Sequence, residues 1–285
     1  MRTALVFGAS GQIGEALLAR LSASAWQVFA VSRTPRAPSS NVRWLTGEFA
    51  GIAGLPDAVD VVFSTGPLDG FAQWYARGQV AMPRVVAFGS TSLDTKQASG
   101  DAYERAIVAR LQAAEQLVFE TAASKGAAAT LLRPTLVYGA GRDQTLARIA
   151  AMARRMRFFV LPRGADGKRQ PVHVDDLADA ALAVVDAPAT HGQAYALPGG
   201  ETMDYREMVA RTLAALDPPV KLWQVPMPVF RAALSLARAA GVMRGLTDDA
   251  VARMREDLVF DAAPARNDFG YAPRTFIVDK RAAGA

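Results

Sequence analysis

The sequence predicts an α/β chain, a doubly wound parallel sheet carrying a smaller, mostly helical lobe after it. Three observations predict this class. Apolar and amphipathic runs alternate through the first half of the chain. The apolar runs are continuous, as strands covered on both faces require. A glycine-rich turn closes the first run and opens the first helix. A length of 285 residues accommodates one such sheet and an appendage.

The first strand covers residues 3–7 and ends in Gly8-Ala-Ser10-Gly11-Gln12-Ile13-Gly14, from which a helix runs to about residue 24. Each glycine has its own task there. One lets the chain reverse, one lets the backbone approach a pyrophosphate, and one lets helix pack on strand. The helix start then offers free N–H groups and a partial positive charge to phosphates. Gly8, Ser10, Gly11, Gln12, Ile13 and Gly14 are therefore expected to hold a dinucleotide, although the spacing is G-x-x-G-x-x-G.

A second strand over 27–32 stops at Arg33-Thr-Pro35-Arg36-Ala-Pro38, where the prolines forbid continuation. No carboxylate stands between Gln27 and Arg43 to meet a ribose 2′-hydroxyl. Ser32, Arg33 and Arg36 occupy that place instead, and a guanidinium suits a 2′-phosphate. NADP(H) is expected in preference to NAD(H). Strands over 42–45, 60–64 and 84–88 follow, with Gly47-Glu48-Phe49 after the first and a short helix over 71–80 before the last. A helix over 101–124 closes at Gly126, and a strand over 129–133 stops at Pro134.

Beyond Gly141 a basic helix covers 144–156, then a loop 161–171, a short strand 172–174, a helix 175–186 and a strand 193–197. Prolines 218, 219, 226 and 228 break the remainder into short helical pieces. The expected division is a dinucleotide-binding domain over 1–140, to which 171–197 returns, and a lobe from 141–170 and 198–285. Residues 225–246 are apolar with arginines and suit either an interfacial helix or, preferably, a helix pair in the lobe.

Composition narrows the function. The chain has no cysteine, which excludes disulfides and thiolate nucleophiles. Its two histidines, His173 and His191, lack metal-ligand spacing, so no metal is expected. No apolar run approaches the length of a membrane span. The chain enters its first strand without a secretory leader, and a cytoplasmic location is expected. A net charge of +5 and a basic run from Arg142 to Arg169 come without aromatic interleaving, so no nucleic-acid partner is expected.

Five segments, in order, resemble short-chain dehydrogenases/reductases of the extended or atypical type, in the NAD-dependent epimerase/dehydratase group. They are the glycine turn, Gly89-Ser90-Thr91-Ser92, Leu131-Leu-Arg133-Pro134-Thr-Leu-Val-Tyr138-Gly139, Gln170-Pro-Val-His173-Val-Asp175-Asp-Leu-Ala, and Phe269-Gly270-Tyr271-Ala-Pro-Arg274-Thr-Phe276. The resemblance implies a Rossmann domain with a C-terminal substrate lobe, and in many members a nucleotide-linked sugar as substrate. It sets Ser64, Thr65 and Gly66 along the cofactor and Gly89 and Pro134 near the nicotinamide. It makes Ser90 and Thr91 substrate-hydroxyl contacts and brings Arg142, Gln170 and His173 toward the substrate.

The departures bear on chemistry. The family uses Tyr-x-x-x-Lys on the helix after the fifth strand, with the lysine four residues before a glutamate such as Glu115. That register sets Ile107 and Leu111 at the two positions, and neither exchanges a proton. Tyr103, one turn earlier, lacks a lysine partner; Ser90, Tyr103 and Tyr138 are the remaining catalytic candidates. Asp175 and Asp176 open a helix and suit capping. The segment between the strands over 60–64 and 84–88 is too short for the family's dimer helix, leaving a monomer or a non-standard homodimer. Two functions stay open: an NADP(H)-dependent oxidoreductase or epimerase-like enzyme acting on a nucleotide sugar or similar carbonyl or carbinol substrate with a non-standard proton donor, or a cofactor-binding sensor, scaffold or assembly factor without hydride chemistry.

Overall fold

The computed structural model describes residues 1–97, 100–143, 145–239, 241 and 247–278. The elements run β1 (Arg2–Phe7), α1 (Gln12–Ser22), β2 (Trp26–Ser32), β3 (Val42–Glu48), β4 (Gly51–Ile52), β5 (Val61–Ser64), α2 (Leu68–Arg77), β6 (Arg84–Phe88), α3 (Ser92–Thr95), α4 (Ala102–Ser124) and β7 (Ala128–Pro134). Then come β8 (Val137–Tyr138), α5 (Leu146–Met156), β9 (Phe158–Pro162), β10 (Lys168–Arg169), β11 (Val172–His173), α6 (Val174–Ala183), β12 (Gln193–Leu197), β13 (Met203–Asp204), α7 (Tyr205–Ala214), β14 (Lys221–Val225), α8 (Met227–Ala239), α9 (Asp248–Arg253) and α10 (Ala263–Phe269).

The main sheet has the order β12-β7-β6-β5-β1-β2-β3-β4, parallel throughout except for the edge strand β4. Strand order reverses between β1 and β5, which opens a crevice at their carboxyl ends. The two faces of β1 show why its run is continuously apolar. Ala4 and Val6 join the core under α1 and α6, and Leu5 and Phe7 join the core under α2 and α4. The long helix α4 begins at Asp101, whose side chain accepts from the Tyr103 N–H at 2.8 Å, and Gly126 beyond its end takes φ +64°. Strand β12 lies beside β7, so 193–197 stands in the main sheet. Ala262, Ala265 and Tyr271 also bury themselves in the core under α1 and α6, although they come from the segment expected in the lobe.

The lobe is less helical than expected. Residues 161–171, expected as a loop, contain the end of β9 and all of β10. Strand β9 pairs in parallel with β14, and β10 pairs with β13. A Pro/Gly-rich composition hid these short strands, whose partners lie more than 30 residues away. The expected helix pair over 225–246 is, among the described residues, one helix, α8, packed by Phe230 and Leu234 against Val160 and Val225. The expected strand 172–174 ends at His173, because the His173 Nδ1 accepts from the Asp175 N–H at 3.2 Å and starts α6. Histidine thus does the capping expected of Asp175 and Asp176. Those carboxylates instead hold Arg20 and Arg274: Asp175 accepts from Arg20 at 3.2 Å, and Asp176 from the Arg274 Nε at 2.7 Å.

Candidate functional site

A cleft of about 530 Å³ opens where the strand order reverses. Gly8, Ser10, Gly11, Ser32, Arg33, Thr65 and Gly66 line it, together with Phe7, Val31, Gly47, Glu48, Phe49, Ala50 and Pro67. The turn is built by close approach. A Cβ at Gly8 would meet the Gly66 nitrogen at 2.6 Å, and one at Gly14 would meet the Gly8 carbonyl oxygen at 2.2 Å. The Thr65 hydroxyl donates to the Phe7 and Gly8 carbonyls, both at 3.0 Å, and pins β5 to the turn. Gly11, the first residue before α1, brings no side-chain cap. The N–H groups of the first helical turn therefore remain available to an anion. The Gln12 Oε1 and Ser64 Oγ are buried without a hydrogen-bond partner among the described residues, so this end of the sheet holds unused polar capacity. The residues present fit a dinucleotide.

Arg33 is exposed, lines the cleft, and makes no ion pair among the described residues. Arg36 stands outside the lining. Its guanidinium lies 5.2 Å from the Trp44 ring centre and 3.8 Å from Glu15. Arg142 reaches the same Glu15 at 2.6 Å, from the loop after β8. Arg36, expected at the cofactor, and Arg142, expected at the substrate, are thus bracketed on one carboxylate beside the glycine turn. Sequence reasoning missed Glu48 and Phe49 as lining residues, although Gly47-Glu48-Phe49 at the end of β3 was the available signal. Phe49 stacks on Phe7 at 5.2 Å and forms the apolar floor with it, and Trp74 supports Phe7 from the core at 4.3 Å.

The other end of the expected site, after β6 and β7, is differently occupied. Gly89 sits against Glu115, where a Cβ would fall 2.8 Å from the carboxylate. Glu115 is buried and accepts from the Arg133 Nε at 2.9 Å, and this hydrogen bond raises the pKa of the guanidinium above its ordinary value. Ser90 is half-buried and its oxygen accepts from the Ser92 N–H at 3.1 Å, which leaves its hydroxyl proton to be donated. Thr91 donates to the Pro134 carbonyl at 3.0 Å and is buried.

Tyr103 projects into solvent, 72% exposed, while its neighbour Glu104 turns inward to Arg253 at 2.7 and 2.8 Å and to Lys96 at 3.0 Å. Tyr138 is 1% exposed, edge-on to His173 and Phe276, and its oxygen accepts from the Ile277 N–H at 3.3 Å. Gln170 is engaged on both sides, accepting from the Phe260 N–H at 2.8 Å and donating to Thr202 at 3.1 Å. Ile107 and Leu111 are partly buried on α4. The glycine turn, Arg33 and β5 are brought together; Tyr103 and Tyr138 are not brought to an open site.

Residues 94–197 match the model of the NAD dependent epimerase/dehydratase family. The chain is 27% identical to a 2-alkyl-3-oxoalkanoate reductase of Stenotrophomonas maltophilia, over 96% of this chain and 95% of that one. It is 27% identical to a UDP-glucose 4-epimerase of Vibrio cholerae over 56% of this chain and 46% of the relative. Its fold overlays a UDP-glucuronic acid 4-epimerase of Bacillus cereus solved with NAD, with a TM-score of 0.70 at 12% identity, covering 99% of this chain and 94% of that one. Motifs, fold and relatives agree in their likeness: the chain is similar to the NAD dependent epimerase/dehydratase family, whose model covers residues 94–197.

Proposed function

We propose that this chain binds NADP(H) and acts on a carbonyl or carbinol substrate such as a nucleotide sugar. The observation that carries the reading is Arg33, a cation without an ion pair among the described residues, in the wall of the cleft. A guanidinium there pairs with a 2′-phosphate through charge-assisted hydrogen bonds. The N–H groups at the start of α1 hold the diphosphate, and Thr65 and Gly66 line the path toward the nicotinamide. A bound nicotinamide supplies hydride transfer to or from the substrate carbon. The chain contributes the Ser90 hydroxyl as a donor to the substrate oxygen. The reductase and epimerase relatives both carry names of reactions at such a carbon, which supports the substrate class.

A second reading has its own observation. Ile107 and Leu111 stand where a proton-exchanging pair is expected, and Tyr103 faces solvent. On that reading the chain holds the cofactor without hydride chemistry, as a sensor, scaffold or assembly factor.

Titration with NADPH and NADH tests the cofactor, and NADPH binding tighter by about tenfold or more is the expected result. Equal or tighter NADH binding refutes the preference. Turnover of NADPH against a panel of nucleotide-sugar ketones and 3-oxoalkanoates then separates the two readings. Tight NADPH binding with no turnover of any ketone favours the second.

A further inference from the structure

Away from the cleft, the lobe presents an apolar and strongly cationic face. In the parallel pair β9/β14, Phe158 stands opposite Lys221 and Val160 opposite Trp223. These four share one side of the pair, because partners in register point the same way and side chains alternate along each strand. The opposite side is the inner one, where Phe159 and Leu161 are buried. Helix α8 lies over the outer side through Phe230 and Leu234 against Val160 and Val225. It leaves Phe158 and Trp223 open, 41% and 60% exposed. The helix itself is apolar well beyond the stripe it buries. Val229, Ala232, Ala233 and Leu236 follow the i, i+3, i+4, i+7 spacing and face solvent, with Leu236 73% exposed.

The segments that build this face carry one sign of charge. Residues 218–239 hold Lys221, Arg231 and Arg238 and no aspartate or glutamate, and Arg157 immediately precedes Phe158. Arg157, Lys221 and Arg231 are exposed and make no ion pair among the described residues. Arg238 alone on α8 is neutralised, by Asp248 at 3.0 Å. Arg157 takes φ +66°, a backbone region where glycine is cheaper, and is the one non-glycine residue there among the described residues. A charged side chain kept at that cost points to a use for the charge.

We propose that this face docks the protein peripherally on an anionic lipid surface. Exposed tryptophan, phenylalanine and leucine enter the interface, and the surrounding guanidinium and ammonium groups meet lipid phosphates. A second copy of the chain would oppose cations to cations. A nucleic acid would leave the aliphatic stripe of α8 unmatched. The inference does not rest on the cofactor reading above.

Co-sedimentation of the full chain with vesicles tests it. Binding is expected to vesicles containing half phosphatidylglycerol and to be weak on phosphatidylcholine alone. It is expected to fall at least about tenfold between low and high salt. A blue shift of tryptophan emission on binding is expected to vanish in Trp223→Ser, the other three tryptophans being more enclosed. The surface pair Arg231→Glu with Lys221→Glu is expected to weaken vesicle binding at least about tenfold while leaving the melting temperature and NADPH affinity unchanged. Failure of the parent chain to sediment with anionic vesicles at low salt overturns the proposal. So does equal binding by parent and charge-reversed chains, or a cation face that binds duplex DNA or a second copy in preference to the vesicles.

Discussion

The two ends of the expected dinucleotide path differ in what their polar groups are doing. At the glycine turn, groups are left open: the N–H groups of an uncapped helix, the Arg33 guanidinium, and the buried Gln12 and Ser64 oxygens. Toward β6 and β7, groups are engaged within the chain. Thr91 serves Pro134, Gln170 serves Phe260 and Thr202, Tyr138 serves Ile277, and His173 caps α6. The difference teaches that the first end keeps polar groups in reserve, as the proposed cofactor requires, whereas the second largely holds the lobe on the sheet. Ser90 is the exception, since its proton remains to be given.

The sharpest way to break this contrast is at Gly14. A Cβ there would lie 2.2 Å from the Gly8 carbonyl oxygen, with backbone on every near side. Gly14→Ala must therefore displace the turn or the start of α1. NADPH affinity is expected to fall about 100-fold or more, equivalent to roughly 2.7 kcal/mol, and calorimetric titration measures it. Unchanged affinity would mean that the turn does not hold the cofactor. The next effect belongs to Arg33. Arg33→Asp is expected to weaken NADPH by about 10- to 30-fold, the loss of one charge-assisted contact, while NADH affinity changes less. A parallel loss for both cofactors would transfer the role from the 2′-phosphate to the common part of the dinucleotide.

These two effects concern the end that was readable from sequence, and the reason is physical. A turn whose backbone packs this closely needs glycine, and the need is written at Gly8 and Gly14 themselves. Strands buried on both faces are continuous apolar runs, so β1, β2, β5, β6 and β7 were also legible. The other end depends on contacts across the whole chain. Tyr138 is buried because Phe276 and Ile277 arrive from 138 and 139 residues further on. Gln170 is consumed by Phe260, 90 residues away. Local pattern carries no trace of such partners. The two-residue strands β8, β10 and β13 are likewise too short to show a period. Phe49 was within reach, since Gly47-Glu48-Phe49 closes a predicted strand, but its place in the cleft follows from stacking on Phe7.

Tyr138→Phe sharpens the contrast at smaller scale. Removing the hydroxyl leaves the Ile277 N–H without that acceptor and keeps the ring against His173 and Phe276. A loss of about 1 kcal/mol in unfolding free energy is expected, with kcat on any ketone that is turned over unchanged. A collapse of kcat at unchanged stability would move Tyr138 from the lobe's scaffold to the reaction, and the two ends would no longer differ.

The smallest effect tests whether the charged cluster under His173 is scaffold as well. Burial pushes the Asp175 carboxyl up, but the charges of Arg20 at 3.2 Å and Arg274 at 3.4 Å, with His173 at 3.4 Å whenever it is protonated, outweigh it, and its pKa lies below the ordinary aspartate value. A carboxylate with a lowered pKa in the folded state contributes stability above its unfolded pKa. It loses that contribution as pH falls through the folded value. Asp175→Asn is therefore expected to have a lower urea midpoint than the parent at pH 7, by a modest margin because Asp175 is partly exposed. The margin is expected to hold down to about pH 4 and to shrink below it, as the parent's carboxyl takes up a proton. Urea midpoints for both chains between pH 7 and pH 3 read this directly. A margin independent of pH would show that Asp175 acts through shape and hydrogen bonding alone, so that the charge pairing of α6 with Arg20 of α1 and with Arg274 does not help fasten the lobe-side end to the sheet.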